Sequence, residues 1–216
     1  MTGKDQKTKK DTRKVFPDLF VVIDIVLYLW LAYRFFQLWA MPSETEINAI
    51  VTMSTLMIFE FIMVHSGVFM AVMPFKWSLL FFFPFYGLFA LVFNLMTPDN
   101  TIMYLYLVVV FNRMRFAFFN NNKELQMQAV LTSVYAVVIY FFSMIIIALS
   151  AEAIPEFGLT PEFLERAKYA PKGSGLFIDM PQTAMCLGVI YYILLALYSF
   201  GLLRSDLKKW FKSVPL

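Results

Sequence analysis

Five ionisable side chains stand inside segments that are otherwise apolar. Asp24 and Arg34 lie in the first apolar run of the chain and Glu60 and His65 in the second. Arg113 lies in the fourth, with Asn112 beside it and Arg115 two residues on. A charge placed in hydrocarbon is costly, so such residues pair with one another, face water, or serve a site. The chemistry open to them is limited and specific. A carboxyl or an imidazole can take up and release a proton, and a guanidinium can hold a carboxylate by paired hydrogen bonds.

Depth sorts these groups. At ~1.5 Å of rise per residue, Glu60 falls at the centre of its run. Asp24, His65 and Arg113 fall roughly 6–8 Å from the midpoints of theirs, all toward the same side, and Arg34 about 8 Å toward the other. A carboxylate, an imidazole and a guanidinium at one level can offset one another's desolvation. His65 and Arg113 are therefore the expected partners of Asp24. Glu60 has no basic residue at its own level unless Arg34 bends inward, and Arg34 is expected to reach for the outer headgroups. Glu60 is thus the expected proton-binding group and Asp24 the structural one. The binding set read from the sequence is Asp24, Glu60, His65 and Arg113.

Glu60 and His65 cannot serve one neighbour. Five residues separate them, ~140° around a helix. Glu60 shares its stripe with Met53, Leu56, Met57, Val64 and Gly67, and His65 shares its own with Ile58, Phe61, Ile62, Val68 and Phe69. Gly67 would permit a close helix crossing near Glu60.

The elements that position these residues are set by composition. Of 216 residues, 60% are hydrophobic, 19% aromatic and only 15% charged, too few polar groups to clothe a soluble fold holding 25 Phe. The expected class is all-α: a polytopic membrane helix bundle. Six apolar runs, 16–41, 47–73, 75–96, 99–119, 124–150 and 183–204, are each long enough to cross a core of ~30 Å. They make one transmembrane domain over 16–204. Residues 1–15 read as a disordered basic tail and 205–216 as a short basic one. The first run is too long for a cleaved leader and reads as a retained anchor. Pro84 is expected to kink the third run, and Asn120–Asn122 to cap the fifth.

Lys and Arg give the orientation. They collect in 4–14, at Lys76, at Arg113, Arg115 and Lys123, and from Arg204 to Lys212. The alternate connections carry Glu44, Glu46, Asp99 and an acidic loop over 151–182. The positive-inside rule then puts both ends in the cytoplasm of a cell-membrane protein. In the loop, Thr160-Pro161-Glu162 reads as the start of a short amphipathic helix on the outer surface, stopped by Pro171.

Several chemistries are excluded. One His cannot form a two-His haem site, and one Cys, Cys186, offers neither a disulfide nor a Cys-based zinc site. No zinc-hydrolase, nucleophile-elbow, P-loop or dinucleotide motif is present. The basic residues are short clusters beside apolar spans, so nucleic acid is not an expected partner. No cofactor and no enzymatic activity are expected. Two readings remain. In the first, the bundle moves or couples a proton or small solute through its buried charges. In the alternative, it is a non-catalytic subunit of a larger membrane complex. The partners are the lipid bilayer and, in the second reading, other membrane subunits.

Overall fold

The computed structural model describes residues 3–72, 78–108 and 123–213, and no strand occurs among them. Helix α1 spans Gly3–Ala40, and a 3-10 turn at Glu44–Glu46 leads into α2, Ile47–Val72. A π turn at Ser78–Phe82 runs into α3, Phe83–Met96. Helix α4 covers 101–108 and α5 covers Lys123–Leu149. Two short helices follow, α6 at Pro161–Arg166 and α7 at Leu176–Asp179, before the long α8, Pro181–Ser213.

Four stretches are long and apolar enough to cross a membrane: Val21–Ala40, Glu44–Ser66, Val130–Leu149 and Pro181–Arg204. They correspond to the first, second, fifth and sixth expected runs, and they make this a membrane-embedded helical protein. The third run is seen as the shorter apolar helix Leu80–Met96. Pro84 has no N–H to donate and its ring crowds the turn before it, so the expected kink is taken up as the widened π turn directly preceding it. The fourth run is described only over 101–108. Arg113, Arg115 and Asn120–Asn122 lie outside the described residues.

Both basic ends are more regular than their composition suggests. Helix α1 begins at Gly3, inside the segment expected to be a disordered tail, and α8 continues past Arg204 to Ser213. Lys, Arg and Gln are good helix formers, which favours helix in both basic segments.

Helix α2 is the centre of the bundle, packed by α5, α8 and α3. The most extensive helix pair is α1 with α8. These two approach closely because Gly188 presents bare backbone to the fully buried ring of Phe35. Lipid supplies no hydrophobic drive between helices, so close packing over small residues carries such contacts.

The connections 41–46, 97–100 and 150–180 gather at one end of the bundle, the loop end. The Trp39 indole N–H donates to Pro155 O at 2.9 Å, and Gly158 N–H donates to Trp39 O at 3.1 Å. Arg166 pairs with Glu44, and the Lys172 ammonium donates to Leu95 O at 3.2 Å. Thr52 donates to Asp99 at 3.4 Å. Helix α6 starts where the sequence places it. Thr160 is the N-cap, its hydroxyl accepting from Phe163 N–H at 3.3 Å, and Pro161 opens the helix. It ends before Pro171, however. Lys168 takes φ 56°, its N–H donates to Glu165 O, and Tyr169 N–H donates to Leu164 O at 2.9 Å. This pair of bonds closes a Schellman cap, which stops the helix without needing proline.

Candidate functional site

Glu60 is 5% exposed at the middle of α2. Its stripe mates Met53, Leu56, Met57 and Val64 are buried too, whereas Phe61 and Phe69 on the other stripe are exposed. The period of the helix therefore turns the acid inward and the aromatic stripe outward.

What meets Glu60 is a set of phenols. The Tyr191 hydroxyl donates to Glu60 Oε1 at 2.8 Å, a normal O–H···O length. The Tyr192 hydroxyl stands 3.5 Å from Oε2, a looser contact. The Tyr140 hydroxyl donates to the carbonyl of Met57, one turn from Glu60, using a lone pair that the helix leaves free. The Tyr140 and Tyr191 rings meet edge to face at 5.4 Å, and Tyr191 and Tyr192 at 4.9 Å. All three rings are buried. Hydrogen bonds to a charged group contribute about 1.5–3 kcal/mol, so the phenols make burial of this acid tolerable.

Beside the carboxyl is a small cavity that admits a water molecule. Leu27, Tyr28 and Leu31 of α1 form one wall, Phe59 and Met63 flank Glu60 on α2, and Tyr106 of α4 and Tyr192 of α8 complete it. Tyr106 is held by its own hydroxyl bond to Phe83 O. Tyr28 stacks on Tyr192 at 6.1 Å, and Phe35 stacks on Tyr192 at 5.8 Å. Four segments of the chain thus converge on one acid.

The other expected site residues fall elsewhere. His65 is half-exposed, and its Nδ1 lies 2.6 Å from Phe61 O. A carbonyl only accepts, so Nδ1 carries the proton, and this nitrogen is engaged within its own helix. Asp24 is half-buried on α1, one turn before Tyr28. Arg34 does not bend toward Glu60. It donates to Gln37 at 2.8 Å and Glu46 at 2.9 Å, because the Glu44–Glu46 turn folds back over the end of α1. The position of Arg113 is outside the described residues.

Tyr28, Tyr140, Tyr191 and Tyr192 are the site residues that the sequence reading did not single out. A signal existed. A tyrosine buried in an apolar span needs a partner for its hydroxyl, and the last run carries a Tyr191–Tyr192 doublet. Among the described residues no group of three His, Cys, Asp or Glu is placed to hold a metal ion. Comparison with protein-family models, characterised proteins and solved structures finds no match to this chain.

Proposed function

We propose that this chain is a non-enzymatic six-span protein of the cell membrane, with both ends in the cytoplasm, and that it moves or couples a proton or small solute through Glu60. The observation that carries this reading is a nearly inaccessible carboxyl at mid-span, held by phenols beside a cavity that admits water. Proton-binding carboxyls within spans are built this way, from an acid facing the bundle rather than lipid. The orientation is supported by the gathering of 41–46, 97–100 and 150–180 at one end. The basic segments 4–14 and 204–212 belong to the opposite end, where α1 begins and α8 finishes.

The test is proton flux in liposomes. Wild-type protein should dissipate a pH gradient read by an entrapped dye, alone or with candidate solutes, and Glu60→Gln should fold but lose the flux. Asp24→Asn should instead lower the yield of folded protein. Equal flux from wild type and Glu60→Gln would overturn the reading. Reporter fusions after Leu216 and within 155–175 test the orientation, and both reporters on one side would sink it.

The second reading, a subunit of a larger membrane assembly, is favoured by Trp30 and Tyr33. Both are more than half exposed on α1. Buried indole and phenol groups want partners, which a neighbouring chain would supply. A stoichiometric partner retained in mild detergent, and lost in Trp30→Ala, would select this reading.

A further inference from the structure

We infer that the ligand of the Glu60 site is the bare proton, carried on Oε2, and that the site takes neither a metal cation nor an organic solute. The inference rests on the reading of Glu60 as a proton-binding group and adds its specificity and the atom that carries the proton.

The space beside the carboxyl sets the first limit. It has room for one water, so an organic solute, or a cation with part of its hydration shell, does not fit. A bare hard cation needs about six oxygens in place of that shell. The wall does not offer them. Among the described residues lining it, Leu27, Leu31, Leu56, Phe59, Met63 and Leu105 bring no side-chain oxygen. Tyr106 turns its hydroxyl to Phe83 O. The lining that remains is the carboxyl with the phenols of Tyr28 and Tyr192. Broken helices can turn backbone carbonyls toward an ion, but α1, α2 and α8 run unbroken past the cavity. A proton needs one oxygen and no coordination sphere.

The two oxygens of the carboxyl are not equivalent. Tyr191, which donates to Oε1 at 2.8 Å, does not line the cavity, whereas Tyr192, which lines it, stands 3.5 Å from Oε2. Oε2 is thus the oxygen on the cavity side and the more loosely held of the two. A proton on Oε1 would meet the hydrogen that Tyr191 donates and force that bond to reverse, while a proton on Oε2 leaves it intact. The step balances simply. A hydronium in the cavity gives its proton to Oε2 and remains as the single water, and the acid becomes neutral with Oε1 as its carbonyl oxygen. The titratable groups that the packed helices bring around it are Tyr28 of α1, Tyr106 of α4, Tyr140 of α5, and Tyr191 and Tyr192 of α8, with Asp24 one turn before Tyr28. Phenols are uncharged at neutral pH, so none of these rings offsets the carboxylate and the proton does.

The experiment is infrared spectroscopy of the full chain in nanodiscs over a pH series, in choline, sodium and potassium chloride at equal ionic strength. A protonated-carboxyl band present in wild type and missing in Glu60→Gln identifies the group. Glu60→Asp, which should move the band without removing it, identifies it if Glu60→Gln does not fold. The midpoint of the band should be the same in the three salts. A cation competing for the site would lower the midpoint by about one pH unit for each tenfold rise in its concentration, and that result overturns the specificity while the proton-binding reading stands. The frequency of the band reports the oxygen, because a hydrogen bond to the carbonyl of an acid lowers its stretch. Tyr191→Phe should raise the frequency more than Tyr192→Phe does, and an equal or opposite order overturns the assignment to Oε2. If no band distinguishes the Glu60 variants from wild type at any pH, the specificity and the proton-binding reading fall together.

Discussion

Gly188→Ala is the sharpest test of how the bundle holds the site. A Cβ added at Gly188 would sit 2.4, 2.5 and 2.7 Å from three ring carbons of Phe35. Ordinary contact starts near 3.4 Å, so ring and backbone must part by about 1 Å. The ring has nowhere to swing. Phe35 is 0% exposed, and Tyr192 stacks on it at 5.8 Å. The substitution therefore separates α1 from α8, the largest interface in the bundle, at a cost of about 1–3 kcal/mol for overpacking. It also disturbs Tyr192, and through it the contact with Glu60 Oε2. Reversible unfolding in bicelles should show the loss in stability. Phe35→Leu alone should be destabilising, since it removes buried ring atoms. The double variant should be more stable than the two single effects predict, by about 1 kcal/mol or more, because each change relieves the other. A Gly188→Ala protein as stable as wild type, or single effects that simply add, would refute the close approach of these helices.

Two more outcomes test the loop end. In Gly158→Ala the new Cβ would meet Pro42 Cδ at 2.2 Å and Ala40 O at 3.1 Å. Neither the ring nor the backbone can yield, so the loop should lift from Trp39, and protease should cut within 151–180 far faster than in wild type. Tyr169 gives a pH dependence. Burial pushes its hydroxyl up to about 12, Asp179 adds to the rise, and the Ser54 hydroxyl opposes it. The folded loop thus holds this proton more tightly than the unfolded chain, whose tyrosine titrates near 10. The stabilisation is complete below pH ~10 and is lost as pH rises toward about 12. A spin label at Ser174→Cys, in a Cys186→Ala background, should become mobile over that interval. In Tyr169→Phe the loop should be weaker at neutral pH by about 1 kcal/mol, for the lost bond to Ile178 O, and should not change over the same interval.

The parts of the fold that were legible in the sequence are those set by local chemistry. Apolar length marked the long helices, and Thr160-Pro161 marked the start of α6 because a hydroxyl and a ring act on their own backbone. Helix ends were read less well. Basic residues at both termini look like tails by composition, yet their backbone propensity is helical, and α1 and α8 run into them. The end of α6 was credited to Pro171. The stop is Lys168 in a left-handed conformation, which no residue type other than glycine or asparagine announces. The pairing of Arg34 with Glu46 at 2.9 Å was not legible either, because depth along a helix does not show which turn folds back over its end.

The same limit explains the site. The inward turn of Glu60 follows from its own helix, since its i±3 and i±4 neighbours are the side chains that α2 buries. Its partners do not follow, because Tyr191 is 131 residues away. Tyr33 and Tyr104 face outward while Tyr140, Tyr191 and Tyr192 face in, and an apolar run around each reads alike. What separates them is the face of α8 that meets α2. Adjacent helical residues point ~100° apart, so Tyr191 and Tyr192 can both approach one carboxyl only if it lies between their directions. That bisecting direction also contains Gly188 and Leu195, one turn to either side, both buried. The glycine that lets α1 close onto α8 and the doublet that reaches the acid are therefore one stripe. A change at Gly188 must act on Glu60, even though the atoms nearest to a side chain added there belong to Phe35.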